Sequence, residues 1–166
     1  MLNENEKNSL ERSDLIIDGA TASWDMRLDG DIQGTYIGVF KFKCYLTPLQ
    51  QIAANREYRE LMGPNPTYAS EHESFLAYSL TQLKHRIISA PPFWASQNPA
   101  MFSGDIADEN IISAVLDAAL SSELKYKSQL KKKRLDALER AQNSTEKLME
   151  VEEDEGDEDE NEETES

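Results

Sequence analysis

This chain has little of what most enzymes use. There is one cysteine, Cys44, and there are two histidines, His72 and His85, in 166 residues. A single thiol forms no internal disulfide, and with two imidazoles it gives no zinc-type ligand spacing. Cys44 lies in an alternating apolar pattern and reads as a small buried residue in a reducing setting. No glycine-rich phosphate loop is present: DGDIQG lacks the strand–loop–helix context and the lysine. No GxSxG elbow appears. The N-terminal MLNENEKNSLERS has no apolar signal core. The best apolar run, Ile111 to Leu120, is interrupted by Asp117 and is too short to span a bilayer. These shortages predict a non-enzymatic, cytoplasmic protein with no cofactor, no metal site and no membrane segment.

Charge is unevenly spread. The net charge is −15, yet twelve of the 32 acids lie from Glu150 onward, with no Lys or Arg among them. That leaves 20 acids against 17 bases in residues 1–149, a balance of −3. The body is nearly neutral and the end is a polyanion, expected to be disordered over 150–166. Such a tail serves solubility, or it holds a basic client.

The stretch SWDMRLDGDIQGTYIGVFKFKCYL, residues 23–46, carries the clearest pattern. Ala22, Trp24, Met26 and Leu28 alternate with polar residues. Beyond the glycine-containing turn, Tyr36, Gly38, Phe40, Phe42, Cys44 and Leu46 do the same. A period of two marks strands with one buried face. Directly paired residues share a face, so the register is expected to place Trp24 opposite Phe40 and Leu28 opposite Tyr36. The opposite face holds Ile37, Val39 and Tyr45 beside Lys41 and Lys43. It is apolar enough to predict a cover there too, from a helix or from another copy.

Helices follow. Thr47, Pro48 and Gln50 make a capping box with proline in the first turn, and Gly63 and Pro64 end that helix near Met62. Ser70 and Glu73 make a second box, ahead of a Leu76, Leu80, Leu83, Ile87 stripe. His72 and His85 both fall on this helix, too far apart to share a metal, and His85 between Lys84 and Arg86 reads as part of a solvated face. SAPPFWASQNPAMF, residues 89–102, is proline-rich and non-helical. A last helix starts near Asp105 or Asp108, is apolar through Leu120, and continues as a charged arm.

The expected fold class is α+β: a β-hairpin, with room for one more short strand in a small antiparallel sheet, packed with two or three helices. A projecting C-terminal helix and a disordered acidic tail follow. The expected organisation is a loose N-terminus at 1–13, a core domain at 14–122, a charged helical arm at 123–149 and the tail at 150–166.

Two sets of residues are candidates for partner binding. Phe93, Trp94, Met101 and Phe102 sit in a stiff loop, which either covers the core or offers aromatics to a partner. Leu124, Leu130, Leu135 and Leu138 are sparse for a coiled coil but suit contact with another subunit. The basic run Lys125, Lys127, Lys131, Lys132, Lys133 and Arg134 has only Tyr126 as an interleaved aromatic and lies close to the acidic tail. It therefore predicts a solvated arm, with nucleic-acid binding gated by the tail as the alternative.

WDMRLDGDIQGTYIGVFKFKCYLTPLQQIAANREYRELMGPNP, with EHESFLAYSLTQLKHRIISAPPFW after it, resembles small tailed-bacteriophage proteins of the tail-assembly chaperone kind. The likeness spans about residues 20–140 and rests on the GTYIGVFKF strand feeding a helical body with a charged helical end. The resemblance implies a non-catalytic late protein of the host cytoplasm that binds the tape-measure protein or other tail or virion proteins and is absent from the finished particle; an assembly factor of this kind is expected to self-associate or to co-purify with a long helical partner. It also implies a longer frameshifted form, with the codons behind Lys131, Lys132 and Lys133 as the slip site. No residue-level motif comes with it, so it assigns no site. The acidic tail departs from the pattern and points instead to a scaffold-like or particle-resident adaptor.

Overall fold

The computed structural model describes residues 14–94 and 106–154, with side chains to residue 145. Four strands come in the order β1 (Leu15–Asp18), β2 (Thr21–Asp29), β3 (Thr35–Lys43) and β4 (Ile87–Ser89), forming one antiparallel sheet of order β1-β2-β3-β4. The helices are α1 (Pro48–Met62), α2 (Glu71–Arg86) and α3 (Glu109–Asp154), with a 3-10 turn at Pro66–Tyr68. The α+β class is as the sequence predicts.

The β2–β3 register matches expectation, with Trp24 opposite Phe40 and Leu28 opposite Tyr36. Trp24, Met26, Phe40, Phe42 and Cys44 are all buried on one face. The sheet has two more strands than the hairpin, where one more was expected. β1 enters through a two-residue loop, Gly19–Ala20, in which Gly19 has φ 58°. There the left-handed backbone suits glycine. β4 follows α2 with no intervening turn.

Both predicted capping boxes close. Thr47 Oγ1 accepts from the Gln50 backbone N–H at 3.3 Å, and Gln50 Oε1 accepts from the Thr47 N–H at 3.0 Å. Ser70 Oγ accepts from the Glu73 N–H at 3.1 Å, and Glu73 Oε2 accepts from the Ser70 N–H at 2.8 Å. These bonds satisfy donors that a helix start leaves open. Gly63, at φ 74°, ends α1.

One face of the sheet packs into a core with Leu83 of α2 and Ile111, Ile112, Val115, Leu116, Ala118 and Ala119 of α3. α1 packs on α2 and buries only Ala54. The Pro91–Trp94 turn, closed by a bond from the Trp94 N–H to the Pro91 carbonyl at 3.0 Å, lies on the same sheet face. It can approach because β3 has Gly38 there: a Cβ at Gly38 would overlap the Pro91 ring.

The structure divides into two compact units between Lys127 and Ser128, within α3. The first holds the sheet, α1, α2 and the start of α3. The second is the remainder of α3, where every side chain from residue 131 to 145 is exposed. Helix continues through Asp154, five residues into the segment expected to be tail. Glutamate is a good helix former, which favours this extension. The rest of the expected tail and residues 1–13 lie outside the described residues.

Candidate functional site

Titratable groups come first, since they would carry any chemistry. His72 meets Glu109 at 3.0 Å on the open surface. His85 does not sit on a solvated face as expected. It is largely covered, with its Nε2 3.2 Å from Glu57 of α1, and Lys84 reaches the same carboxylate at 2.9 Å. The Lys84 ammonium, with His85 beside it, holds the Glu57 carboxyl below its ordinary value despite partial burial. The pair therefore joins α1 to α2. Burial, with Glu123 nearby, pushes the Cys44 thiol up to about 11, so its thiolate is scarce at neutral pH. Among the described residues no group of three or more His, Cys, Asp or Glu could hold a metal ion, and no helix is long and apolar enough to cross a membrane.

Arg86 is also buried rather than solvated. Its Nη2 meets Glu123 at 2.7 Å, and Lys127 reaches the other Glu123 oxygen at 2.5 Å. Burial pushes the Glu123 carboxyl up, but Lys127 and Arg86 together hold it below its ordinary value. This cluster ties α2 to α3. Lys125 donates to the Leu15 carbonyl at 2.8 Å, which ties α3 to β1. The basic run thus splits. Lys125 and Lys127 serve the fold, and Tyr126 stacks on Tyr45 at 5.8 Å. Lys131, Lys132, Lys133 and Arg134 stay exposed.

Asp108, just before α3, is fully buried against the β2–β3 turn. Its carboxylate accepts from the Ile32 N–H at 2.5 Å, the Gln33 N–H at 2.9 Å and the Tyr36 hydroxyl at 2.7 Å. Burial pushes this carboxyl up, but the bonds from Tyr36, Ile32, Gln33 and Asp31 outweigh burial and leave it below its ordinary value. In turn, Asp108 raises the Tyr36 phenol. A Cβ on Gly30 would collide with the Asp108 carboxylate, so the turn needs glycine there. A carboxyl with a lowered folded pKa adds stability above its unfolded pKa of about 3.9, and loses it as pH falls through the folded value. Wild-type protein is therefore expected to lose stability as pH falls below about 4. Asp108→Asn should be less stable at pH 7 and should lose less stability than wild type on acidification, the remaining loss coming from carboxyls such as Glu57 and Glu123 that are also held low. Thermal melts from pH 2 to pH 7 check this.

Apolar side chains on the surface are what remains. The outer face of the sheet carries Ile37 at 58% exposure and Val39 at 50%, with Ile16 and Ile88 also exposed. No described helix of this chain covers Ile37 or Val39, so of the two covers expected there, a helix or another copy, the first is not seen. On α1, Leu49 is 79% exposed and Ile52 54%. At 100° per residue both lie roughly 140–160° around α1 from the buried Ala54, so they point away from α2. Leu61, Phe75 and Tyr78 are exposed as well.

The predicted partner residues separate clearly. Trp94 is buried, with its ring edge-on to Phe40 at 5.3 Å, and half-buried Phe93 stands edge-on to Tyr36 at 5.0 Å. Both belong to the core and not to an accessible surface. Their turn faces inward because Gly38 leaves room for Pro91. Met101 and Phe102 lie outside the described residues. Leu124 is exposed on the part of α3 that belongs to the first unit. Leu135 and Leu138 are exposed on the second unit, and Leu130 is half-buried there. Sequence reasoning missed Leu49 and Ile52. The signal was present: both fall on the α1 side opposite Ala54, in a helix short of apolar residues.

No known family matches the chain, and no curated protein or solved structure matches it.

Proposed function

We propose that this chain is a non-catalytic assembly factor that binds other polypeptides, acting in the cytoplasm of a phage-infected cell as a tail-assembly chaperone for a tape-measure protein. One observation supports this above the rest: apolar side chains are open on two separate faces, Ile37 and Val39 on the sheet and Leu49 and Ile52 on α1. Isolated exposed apolar residues are ordinary, but grouped ones favour contact with protein. A client's apolar segments would be shielded there while the neutral body and the acidic end keep the complex soluble.

The experiment is co-expression with a tape-measure polypeptide. The client should stay in the soluble fraction and co-purify when the chain is present, and precipitate when it is absent. Equal client solubility with and without the chain counts against the proposal. The acidic end favours a second reading, a subunit that stays in the particle. Peptides from residues 56–86 abundant in purified virions would support that reading instead. The nucleic-acid reading has less support, because Lys125 and Lys127 are engaged within the fold.

A further inference from the structure

We infer that the outer face of the sheet is the interface of a weak homodimer, in which two copies pack face to face about a two-fold axis. The residues that argue it lie on β2 and β3. On this face the register sets Arg27 beside Ile37 and Asp25 beside Val39. All four side chains are exposed. Asp29 beside Thr35 continues the pattern at one end, and Ser23 beside Lys41 at the other. β3 therefore offers two adjacent apolar side chains, and β2 offers a cation and an anion next to them. β1 pairs with β2 only over Thr21–Trp24, so Asp25 and Arg27 lie toward the rim of the sheet.

Symmetry decides what fits this pattern. A two-fold contact brings one residue onto a second and the second onto the first. Consider an axis running across the strands, midway between the Ile37–Arg27 row and the Val39–Asp25 row. It sets Ile37 on Val39 of the other copy and Arg27 on its Asp25, and each contact is made twice. The same axis brings Lys41 over Thr35 of the other copy, one strand away from its Asp29. Other axes fail. An axis along β3 sets Lys41 on Lys41. An axis along the strands between β2 and β3 sets Ile37 on Arg27 and Val39 on Asp25, so each charge meets an aliphatic side chain. Charge complementarity thus selects a second copy and one direction for it. The strands of the two sheets then run antiparallel, within the roughly 30° that twisted sheets adopt when they pack aligned. The apolar pairs sit at the centre, and the rim charges fix orientation more than affinity. At the usual strand rise and spacing the overlap is about 30 Å by 15 Å, roughly 450 Å² per copy and about 900 Å² in all. That is small for a specific complex and implies a dissociation constant on the order of 10 µM.

Sedimentation of the full chain tests this, at about 0.15 M NaCl to screen the net charge of −15 that each copy carries. Wild type should pass from monomer to dimer between about 1 µM and about 300 µM. Arg27→Asp sets anion on anion and Asp25→Arg sets cation on cation, so each should weaken the dimer roughly tenfold or more. Both substitutions in one chain exchange the two charges and should restore affinity to within about threefold of wild type. An equimolar mixture of the two single variants should form a heterodimer, because every pair across the axis is again opposite. Both positions are exposed, so thermal midpoints should stay within a few degrees of wild type. A chain still monomeric at about 300 µM overturns the interface. So does a single variant that dimerises as well as wild type, or a mixture that yields no heterodimer. No client is present in these measurements, so self-association and client binding fail separately.

Discussion

Phe40→Ala is expected to lower the free energy of unfolding by roughly 3–5 kcal/mol. Domains of this size are stable by about 5–15 kcal/mol, so the variant should be partly unfolded at 37 °C. The reason is where Phe40 sits. It is fully buried, with ring centres 5.3 Å from Trp94, 5.8 Å from Phe42, 6.0 Å from Trp24 and 6.1 Å from Phe93. Three of those rings are on the hairpin and two on the Pro91–Trp94 turn, if Phe40 itself is counted with the hairpin. Truncation leaves a cavity where the two segments meet, and neither segment can close it alone. Urea unfolding followed by tryptophan fluorescence gives the midpoint, and both tryptophans lie against the cavity. A loss under about 1 kcal/mol would mean the turn does not pack on the sheet as described.

Glu123→Ala is expected to cost about 3 kcal/mol, because it leaves Arg86 buried without its counter-ion. Arg86 is only 5% exposed, and its Nη1 already has no hydrogen-bond partner among the described residues. Among the described residues its other side-chain hydrogen bond is the 3.3 Å one from Nε to Gln82 Oε1. Glu123 keeps some contact with water, which holds the expected cost at the lower end for a broken buried pair. The double variant Arg86→Met with Glu123→Leu removes both charges and should regain most of the lost stability. A double-mutant cycle by urea denaturation measures the coupling. Additive losses would show that the two charges do not act as a pair.

The features legible in the sequence are local ones. The period-two pattern around Trp24 and Phe40 fixes the β2–β3 register, because a one-residue slip would turn every aromatic outward. The two capping boxes are readable because each closes within four residues. The α2–α3 ion cluster is not, since Arg86 and Glu123 are 37 positions apart and a Lys-His-Arg run ordinarily faces water. Asp108 is hidden for the same reason: its partners lie some 75 residues earlier. β4 escapes notice because three residues directly after a helix show no period of their own. The direction of the Phe93–Trp94 turn depends on Gly38, a gap in an otherwise aromatic row whose purpose appears only when Pro91 is placed against it. As for the candidate site, Ile37 and Val39 stand out in the sequence by breaking the polar alternation. Leu49 and Ile52 become conspicuous only when packing shows that Ala54 marks the inner side of α1.

The most direct measurement of the proposed client binding is the soluble fraction of a tape-measure polypeptide co-expressed with surface variants of this chain. Ile37→Lys with Val39→Lys alters the sheet face, and Leu49→Glu with Ile52→Glu alters α1. All four positions are exposed, so the thermal midpoint should stay within a few degrees of wild type. At least one of the two pairs should send most of the client into the pellet. Full client solubility with both pairs combined, in a chain that remains folded, would contradict the claim that these open apolar faces do the binding.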